Sequence, residues 1–503
     1  MKKHFKVLLL VLIFCIVLST SVKIYSGTFF AEFESSDIIV DVAYRMKIND
    51  PSLFTEDKWF DIMFSVYPAL FNTFVASAGE LIDSDKVARV AIKYILYVIF
   101  ISSLYFLGYY LSGKRLIAAM FALMSAYGHK AINGVFWGLH VGQIESQDVV
   151  TFLIPGLFLL FLKWKDDFKK MFLLFFVLGV LINFHAISAG FLGMAFLLTY
   201  FLSGISFKRF WECVYFGVAL LVGGLPYLWS YFSSAAGGSV SVDLLLYRMP
   251  YVFNHSILES VLFMGLALVL GFLGYYFCKK KENDKVLFWF FVSVMLISVL
   301  GIIASYFFVD IALFQFHRAS RLVFIPLLYF SAYFIFYLFK RKVFVTSAVL
   351  LCLLVFPVSI FAGTLVSFDA LESEDILYER ELDGLVFVDA SGEDYYELVE
   401  YAKENTFVDD VFLVPPYGFV SFRTLAERAI VVSFKDGAQV IVSTSDHGLE
   451  WYEEYQAVRR AYLSGDFSDV FGADYIVVDK SKNSLDFSVV FENDRFVLYK
   501  TNS

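Results

Sequence analysis

Long apolar runs alternate with short charged segments over the first 366 residues of the chain. Eleven runs are long enough to cross, or nearly cross, a hydrocarbon core of about 30 Å. The pattern predicts a polytopic α-helical membrane domain of about 11 transmembrane helices over residues 1–367. The runs lie near 7–25, 88–111, 116–128, 149–162, 171–184, 187–203, 211–231, 257–278, 286–308, 322–339 and 343–366.

Lysine and arginine residues occupy every second boundary between these runs. Because positive charge near helix ends is retained on the cytoplasmic side, the alternation sets the orientation. It predicts a multi-pass protein of the plasma (inner) membrane with a cytoplasmic N-terminus. The first run could instead be a signal peptide, but no small-residue cleavage site precedes Lys23, so we predict a helix. The basic boundaries are 2–6, 114–115, 163–170, 208–209, 279–285 and 340–342.

The run from Met171 to Ser203 has two interpretations. As one helix it would be about 50 Å long at 1.5 Å per residue, longer than a membrane requires. Basic clusters at both of its ends favour a hairpin of two short spans that turns at Asn183, Phe184 and His185. Because non-helical backbone at membrane depth lies inside protein or beside a cavity, we expect this turn to face a site. His185 is therefore a candidate substrate-binding residue.

The C-terminal segment, residues 368–503, is far more acidic than the rest of the chain. This segment holds 11 Lys+Arg and 28 Asp+Glu, a net charge of 11 − 28 = −17, against 29 − 21 = +8 for residues 1–367. A helix-like stretch at 393–404 is followed by the apolar runs VFLVPP, AIVVSF, YIVVDK and FVLYK. The pattern predicts a small, soluble, extracytoplasmic α/β domain of four or more strands that does not bind nucleic acid.

The first predicted outer loop, residues 26–87, contains Asp37 and Asp41. Their spacing of four places both on one face of a helix, which is unfavourable unless a cation, an arginine or open water offsets the charges. The two aspartates are therefore either a solvated helix end or part of a site.

The second predicted outer loop, residues 129–148, ends with Glu145 and Asp148. Carboxylates from two outer loops could converge on one divalent ion, and oxygen ligands suit Mg²⁺ or Mn²⁺. His140 in the same loop is either a metal ligand or proton carrier, or a hydrogen-bonded interface residue.

Positive charge is scarce on the predicted outer side, which makes Arg318 and Arg321 informative. An arginine presents a rigid fork of donors that suits phosphate oxygens, and a lipid phosphate group is the obvious partner. The alternatives are an interfacial anchor or an ion pair with a carboxylate such as Asp310. Arg248 is a second candidate for substrate binding.

The layout as a whole resembles glycosyltransferase superfamily C (GT-C). It combines a basic N-terminus, one helix, a long acidic outer loop, a second outer loop with acidic residues and a soluble C-terminal domain. The resemblance implies a polyprenyl-phosphate sugar donor and a catalytic or metal-organising aspartate in the first outer loop. Asp37 best matches that aspartate, Asp41 is the close alternative, and Glu145 with Asp148 match the acidic pair of the second loop.

Residues 401–437 carry a second resemblance. They resemble the outer domain of a group of bacterial membrane proteins of this layout, whose function is inferred rather than established. That group has an Asn-Thr-Pro turn, a strand, and then spaced Phe-Arg, Arg and Lys positions. The matching residues here are Asn405, Thr406, Phe422, Arg423, Arg428 and Lys435, with Phe407 in place of the proline.

Taken together, these features predict an inverting membrane glycosyltransferase. It would move a hexosyl or pentosyl group from a lipid-linked sugar donor to a glycan or protein acceptor at the extracytoplasmic surface, in contact with membrane lipids. The alternatives are a transporter or flippase of lipid-linked glycans and a noncatalytic membrane assembly partner. A transporter would have ionisable residues deep within its spans, whereas nearly all charges here lie near the ends of the runs.

Overall fold

A computed structural model describes most of the chain and divides it into two compact units. We call residues 1–31, 86–228 and 251–372 the membrane unit, and residues 32–85, 229–250 and 373–503 the α/β unit. The predicted boundary at residues 367 and 368 lies outside the described residues. The described residues are 2–25, 36–66, 69–82, 84–132, 135–139, 144–234, 242–248, 253, 257–278, 282–355, 392–417, 419–437, 440–441, 445–480 and 485–501.

The described residues are mostly helical. The helices are α1 Lys2–Tyr25, α2 Ser36–Asn49, α3 Lys58–Val66, α4 Ala69–Ile82, α5 Asp85–Ser112, α6 Arg115–Ala126, α7 Ser146–Trp164, α8 Phe168–Ile182, α9 Ala186–Leu202, α10 Phe207–Gly223, α11 Leu225–Ser234, α12 Val242–Arg248, α13 Ile257–Phe277, α14 Glu282–Phe307, α15 Val309–Ala312, α16 Phe324–Lys340, α17 Phe344–Val355, α18 Glu393–Asn405, α19 Val420–Ala426 and α20 Ser445–Ser464. A 3-10 helix, Phe316–Val323, precedes α16. The strands are β1 His129–Lys130, β2 Phe136–Trp137, β3 Val411–Leu413, β4 Ala429–Ile430, β5 Tyr475–Asp479, β6 Ser488–Glu492 and β7 Phe496–Lys500.

Ten of the eleven predicted apolar runs coincide with a described helix or, for 211–231, with the pair α10 and α11; of the run 343–366 the structure describes 343–355, which contains α17. Among the described residues, five helical segments are long and apolar enough to span a membrane, or up to seven if two bent pairs each count as one span. Four further apolar helices are shorter, among them α6, α9 and α17. The prediction of a polytopic membrane protein is confirmed, with short helices in the middle of the chain.

The predicted hairpin at Asn183–His185 is confirmed. Helix α8 ends at Ile182 and α9 begins at Ala186. The buried Asn183 side chain donates to the Gly223 carbonyl (3.0 Å) and accepts from the Tyr227 N–H (2.9 Å). The Asn183 side-chain amide therefore links this turn to the bend between α10 and α11. The Gly223 carbonyl and the Tyr227 N–H each lie at the end of a helix and lack a helical partner.

Helices α8 and α10 approach closely because glycines lie at their contact. A Cβ added at Gly179 would lie 2.2 Å from the Leu220 carbonyl oxygen, and one at Gly223 would lie 2.3 Å from that of Phe176. Small residues allow helix backbones to approach in this way within membranes. The close contact brings the Gly223 carbonyl within reach of Asn183.

We expect Asn183→Leu to destabilise the membrane unit, because it leaves the Gly223 carbonyl and the Tyr227 N–H without their side-chain partner. Each unsatisfied buried group costs about 1–3 kcal/mol. The free energy of unfolding in detergent micelles measures the loss. Equal stability of Asn183→Leu and the wild type would contradict this role.

The α/β unit contains a five-stranded mixed sheet in the order β4-β3-β5-β7-β6. Strands β4, β3 and β5 are parallel, whereas β7 is antiparallel to both β5 and β6. All four apolar runs predicted as strands contain one, and α18 covers the helix-like stretch. The predicted α/β domain is therefore confirmed.

Side chains alternate along a strand, and both faces of the central strand β5 are buried. On β5, Val477 belongs to one core, which includes residues of α18 and α19. Its neighbours Ile476 and Val478 belong to a second core, with residues of α20 and of α2 and α3. Helices α2 and α3 come from the predicted first outer loop, which therefore folds as part of the α/β unit.

Candidate functional site

Asp41 lies in a buried polar network of the α/β unit. Its side chain is 2% exposed, and its Oδ1 accepts a hydrogen bond from Asn72 Nδ2 (3.2 Å). Asn72 Oδ1 in turn accepts from Arg45 Nη1 (3.2 Å). For Asp41 the alternative of a solvated helix end is wrong, because its carboxylate is enclosed and hydrogen-bonded.

Asp37 lies on α2, one turn before Asp41, and its side chain lies outside the described residues. His140 also lies outside them. The roles predicted for both residues stay predictions.

Arg321 is the centre of a second buried network, which lies in the membrane unit. Its guanidinium is 5% exposed and donates through Nη2 to the Ser188 hydroxyl. Arg318 and Asp148 act on it electrostatically, the first unfavourably and the second favourably. The 3-10 helix has three residues per turn, so Arg318 and Arg321 lie one above the other, with Arg318 partly exposed.

His185 joins this network through Ser188. Its Nδ1 accepts from the Ser188 N–H (3.2 Å) and lies 2.7 Å from the Ser188 hydroxyl, so the ring forms the N-terminal cap of α9. A neutral imidazole whose Nδ1 accepts carries its proton on Nε2. The Ser188 hydroxyl donates to the His185 ring and accepts from Arg321. The turn at Asn183–His185, which the sequence predicts to face a site, is thereby connected to the buried Arg321.

Glu145 and Asp148 form a capping box at the start of α7. Asp148 Oδ2 accepts from the Glu145 N–H (3.0 Å), and Glu145 Oε2 accepts from Gln147 Nε2 (2.6 Å). Within the described part of the chain, no group of three His, Cys, Asp or Glu residues could hold a metal ion. The contacts described for the two carboxylates are those of a helix cap.

Arg248 lies in the α/β unit, where it contacts Phe434. Its Nε donates to the Phe434 carbonyl (2.8 Å), and its guanidinium lies 4.3 Å from the centre of the Phe434 ring. These contacts attach α12 to the segment after β4.

Arg423 of the α/β unit lies between two buried carboxylates. Its Nε and Nη2 donate to Asp57 (2.7 and 3.1 Å), and its Nη1 and Nη2 donate to Asp436 (3.0 and 3.1 Å). All three side chains are at most 2% exposed. Burial alone would lower the pKa of Arg423, but the two carboxylates raise it above its ordinary value, so the guanidinium stays charged.

Arg428 closes the turn after α18. Its Nη2 donates to the carbonyls of Lys403 and Thr406 (both 2.7 Å), and its Nε donates to the Thr406 hydroxyl (2.9 Å). Carbonyls at a helix C-terminus lack helical partners, and a basic side chain supplies donors for them. Arg423 and Arg428 in the C-terminal resemblance thus have structural partners.

Several buried polar residues were not predicted from the sequence, among them Asn72, Ser188, Arg89 and Lys93. Asn72 and Ser188 are short polar residues within apolar runs, which is the signal that could have revealed them. Arg89 and Lys93 on α5 are 7% and 2% exposed, and their spacing of four puts them on one helix face. Ionisable residues inside an apolar helix are costly and point to function.

The apolar helices of the membrane unit, together with the α/β unit, define a polytopic membrane protein with an additional α/β domain. The structure is similar to the crystal structure of the Archaeoglobus fulgidus oligosaccharyltransferase, tethered by a disulfide bond to an acceptor peptide that contains the NVT sequon. The two share 12% sequence identity and a TM-score of 0.50, over 95% of this chain and 69% of that chain. The chain therefore has the GT-C fold.

A second crystal structure and one family model also match the chain. The same enzyme in complex with Zn and sulfate aligns with a TM-score of 0.47 and 10% identity, over 93% of this chain and 68% of that one. Residues 393–458 match a family model described as a domain of unknown function, DUF6798, which covers the segment that carried the second resemblance. The search of curated proteins found no match.

Proposed function

We propose that the protein is an inverting membrane glycosyltransferase that uses a polyprenyl-phosphate sugar. The observation that carries this proposal is the buried Arg321, held by Ser188 and His185 within a GT-C fold. A buried guanidinium with a hydrogen-bonded support is suited to a phosphate group that leaves with negative charge. The buried cations Arg89 and Lys93 add to the positive charge of the same unit.

In the proposed reaction, an acceptor hydroxyl oxygen attacks the anomeric carbon of the donor sugar. The bond from that carbon to the phosphate oxygen breaks, and the electron pair leaves with the lipid phosphate. The hydroxyl proton passes to a carboxylate, Asp41 or Asp37, that acts as general base. Arg321 and Arg318 stabilise the charge on the departing phosphate.

His185 and Arg248 have supporting roles in this proposal. His185 positions the Ser188 hydroxyl that holds Arg321, and Arg248 helps to fix the α/β unit around α12. Mg²⁺ or Mn²⁺ at Glu145 and Asp148 would need a further ligand from outside the described residues, for which His140 is the candidate. No step of the proposed reaction depends on that ion.

We place the protein in the plasma (inner) membrane with a cytoplasmic N-terminus. Residues 26–87 and the C-terminal segment 368–503 would both lie on the extracytoplasmic side. There a lipid-borne donor can meet a water-borne acceptor, which is a glycan or a protein. The oligosaccharyltransferase of similar fold was crystallised with an acceptor peptide, which favours including proteins in the search for acceptors.

A deletion strain tests the proposal. We expect Asp41→Asn to give the glycan pattern of the deletion strain and to let a polyprenyl-linked sugar accumulate, because loss of a general base slows transfer by about 10²–10⁴-fold. Asp37→Asn is examined in parallel because either carboxylate is a candidate. Mass spectrometry of membrane-associated and surface glycans is the readout, with variants expressed at the wild-type level.

The matched control is Asp50→Asn, an exposed aspartate just after α2, which should restore the wild-type glycans. Full restoration by both Asp37→Asn and Asp41→Asn would contradict a catalytic role for the first loop. The transporter or the noncatalytic partner would then be the better hypothesis.

A further inference from the structure

A lone asparagine connects two charged residues in the α/β unit. Asn72 lies on α4, in the apolar sequence ALFNTFVASAGELI, and its side chain is fully buried. Its amide is hydrogen-bonded to Asp41 on one side and to Arg45 on the other, at 3.2 Å each. A buried amide in an apolar helix is costly unless its donors and acceptor are used.

The chemistry of the two neighbours fixes the direction of this chain of hydrogen bonds. A guanidinium can only donate, so Asn72 presents its oxygen to Arg45. The Asn72 NH₂ group is then directed to Asp41 and donates to Oδ1. A donor aimed at a carboxylate stabilises its ionised form and fixes its orientation.

We propose that Asn72 is a positioning residue for Asp41, and that Arg45 fixes the Asn72 amide. This inference rests on the proposed function with Asp41, of the two candidate aspartates, as the general base. The hydrogen bond from Asn72 favours the ionised form of Asp41 and holds its carboxylate in one orientation.

Other titratable and charged groups lie on the same helix as Asp41 or act on its neighbour Tyr44, and they stay constant when only Asn72 is changed. Tyr44 and Arg45 lie on the same helix, and Asp61 lies on α3. Asp41, Arg423, Asp436 and Asp61 all act electrostatically on the fully buried Tyr44. A change in the titration of Asp41 that follows substitution of Asn72 therefore reports the amide itself.

Infrared difference spectroscopy of the full-length protein tests the inference. The carboxylic-acid band of Asp41 is assigned by its absence in Asp41→Asn, and its appearance is followed as the pH falls. We expect Asn72→Leu to move the midpoint to higher pH by about one to two pH units, the effect of one hydrogen bond to a charged group. Asn49→Leu makes the same change at an exposed position of α2 and should leave the midpoint unchanged.

Asn72→Ala provides a second route if Asn72→Leu does not fold. Alanine removes the amide without adding apolar volume and leaves Arg45 in place, so a shift in the same direction is expected. An unchanged midpoint in the variants that fold would overturn the inference.

Transfer kinetics separate this inference from the proposed function. If the wild type transfers sugar, the acid limb of its pH–rate profile should move to higher pH in Asn72→Leu. Transfer with an unchanged infrared midpoint and an unchanged acid limb would overturn the role of Asn72 and leave the proposed function intact. A shifted midpoint without any transfer by the wild type would overturn the proposed function and, with it, a positioning role in catalysis.

Discussion

Arg423→Met should destabilise the α/β unit by about 3–5 kcal/mol, the usual loss when one partner of a buried ion pair is removed. The substitution leaves Asp57 and Asp436 side by side, both fully buried and without the guanidinium that bridges them. Asp57 also accepts from the backbone N–H groups of Phe60 and Ile430 (3.0 and 3.1 Å), so the loss would extend from α3 to β4. The loss of stability is measured as faster amide hydrogen exchange in peptides from β3, β4 and α3 of the full-length protein.

Two further variants are compared with Arg423→Met for their loss of stability. Asp57→Asn retains one carboxylate opposite Arg423 and should lose less stability than Arg423→Met. Lys480→Met breaks an ion pair with Glu492 in which both side chains are about half exposed, so exchange should not change measurably. If Arg423→Met exchanged no faster than Lys480→Met, the buried network would not hold α3 to the sheet.

Arg321→Met should lower the turnover number for sugar transfer by about 10²–10³-fold, the effect of removing one preorganised donor from a developing negative charge. The Michaelis constant should change less, because the interaction strengthens as the phosphate leaves. Ser188 retains His185 as a hydrogen-bond partner in this variant, which favours folding. Steady-state kinetics with a polyprenyl-phosphate sugar in detergent micelles measures both constants.

Arg341→Met is the matched control for this experiment. Arg341 follows α16 at the opposite end from the 3-10 helix, is exposed and lies 5.3 Å from the ring centre of Tyr337. Its substitution removes a charge of the same type and should leave transfer unchanged. Equal turnover numbers for Arg321→Met and Arg341→Met would exclude Arg321 from the reaction.

The sequence predicted those features that depend on local patterns. Basic clusters at both ends of 171–203 located the turn at Asn183–His185, because a 33-residue run would be too long for one span. The alternation of apolar runs with Pro, Gly and Asp turns located the strands of the α/β unit. The spacing of Asp37 and Asp41 left open whether Asp41 faces water.

The sequence did not reveal contacts between distant segments. Arg423 and Asp57 are 366 positions apart, and neither residue type predicts the other. Asn72 hydrogen-bonds to residues 27 and 31 positions earlier, across the loop that joins separate helices. Arg321 meets Ser188 because the hairpin and the 3-10 helix pack together, and tertiary packing of this kind cannot be derived from a periodic pattern.

Transfer of sugar out of the lipid fraction tests the central proposal most directly. Purified protein would be incubated in detergent micelles with radiolabelled lipid extract and glycan fractions from the deletion strain, and the label would be followed from organic to aqueous phase. Glycosyl transfer predicts that the wild type moves label into the aqueous fraction and that Asp41→Asn and Arg321→Met do so far more slowly. Label that stays lipid-linked although the protein is folded would contradict glycosyltransferase activity and favour a transporter or a noncatalytic partner.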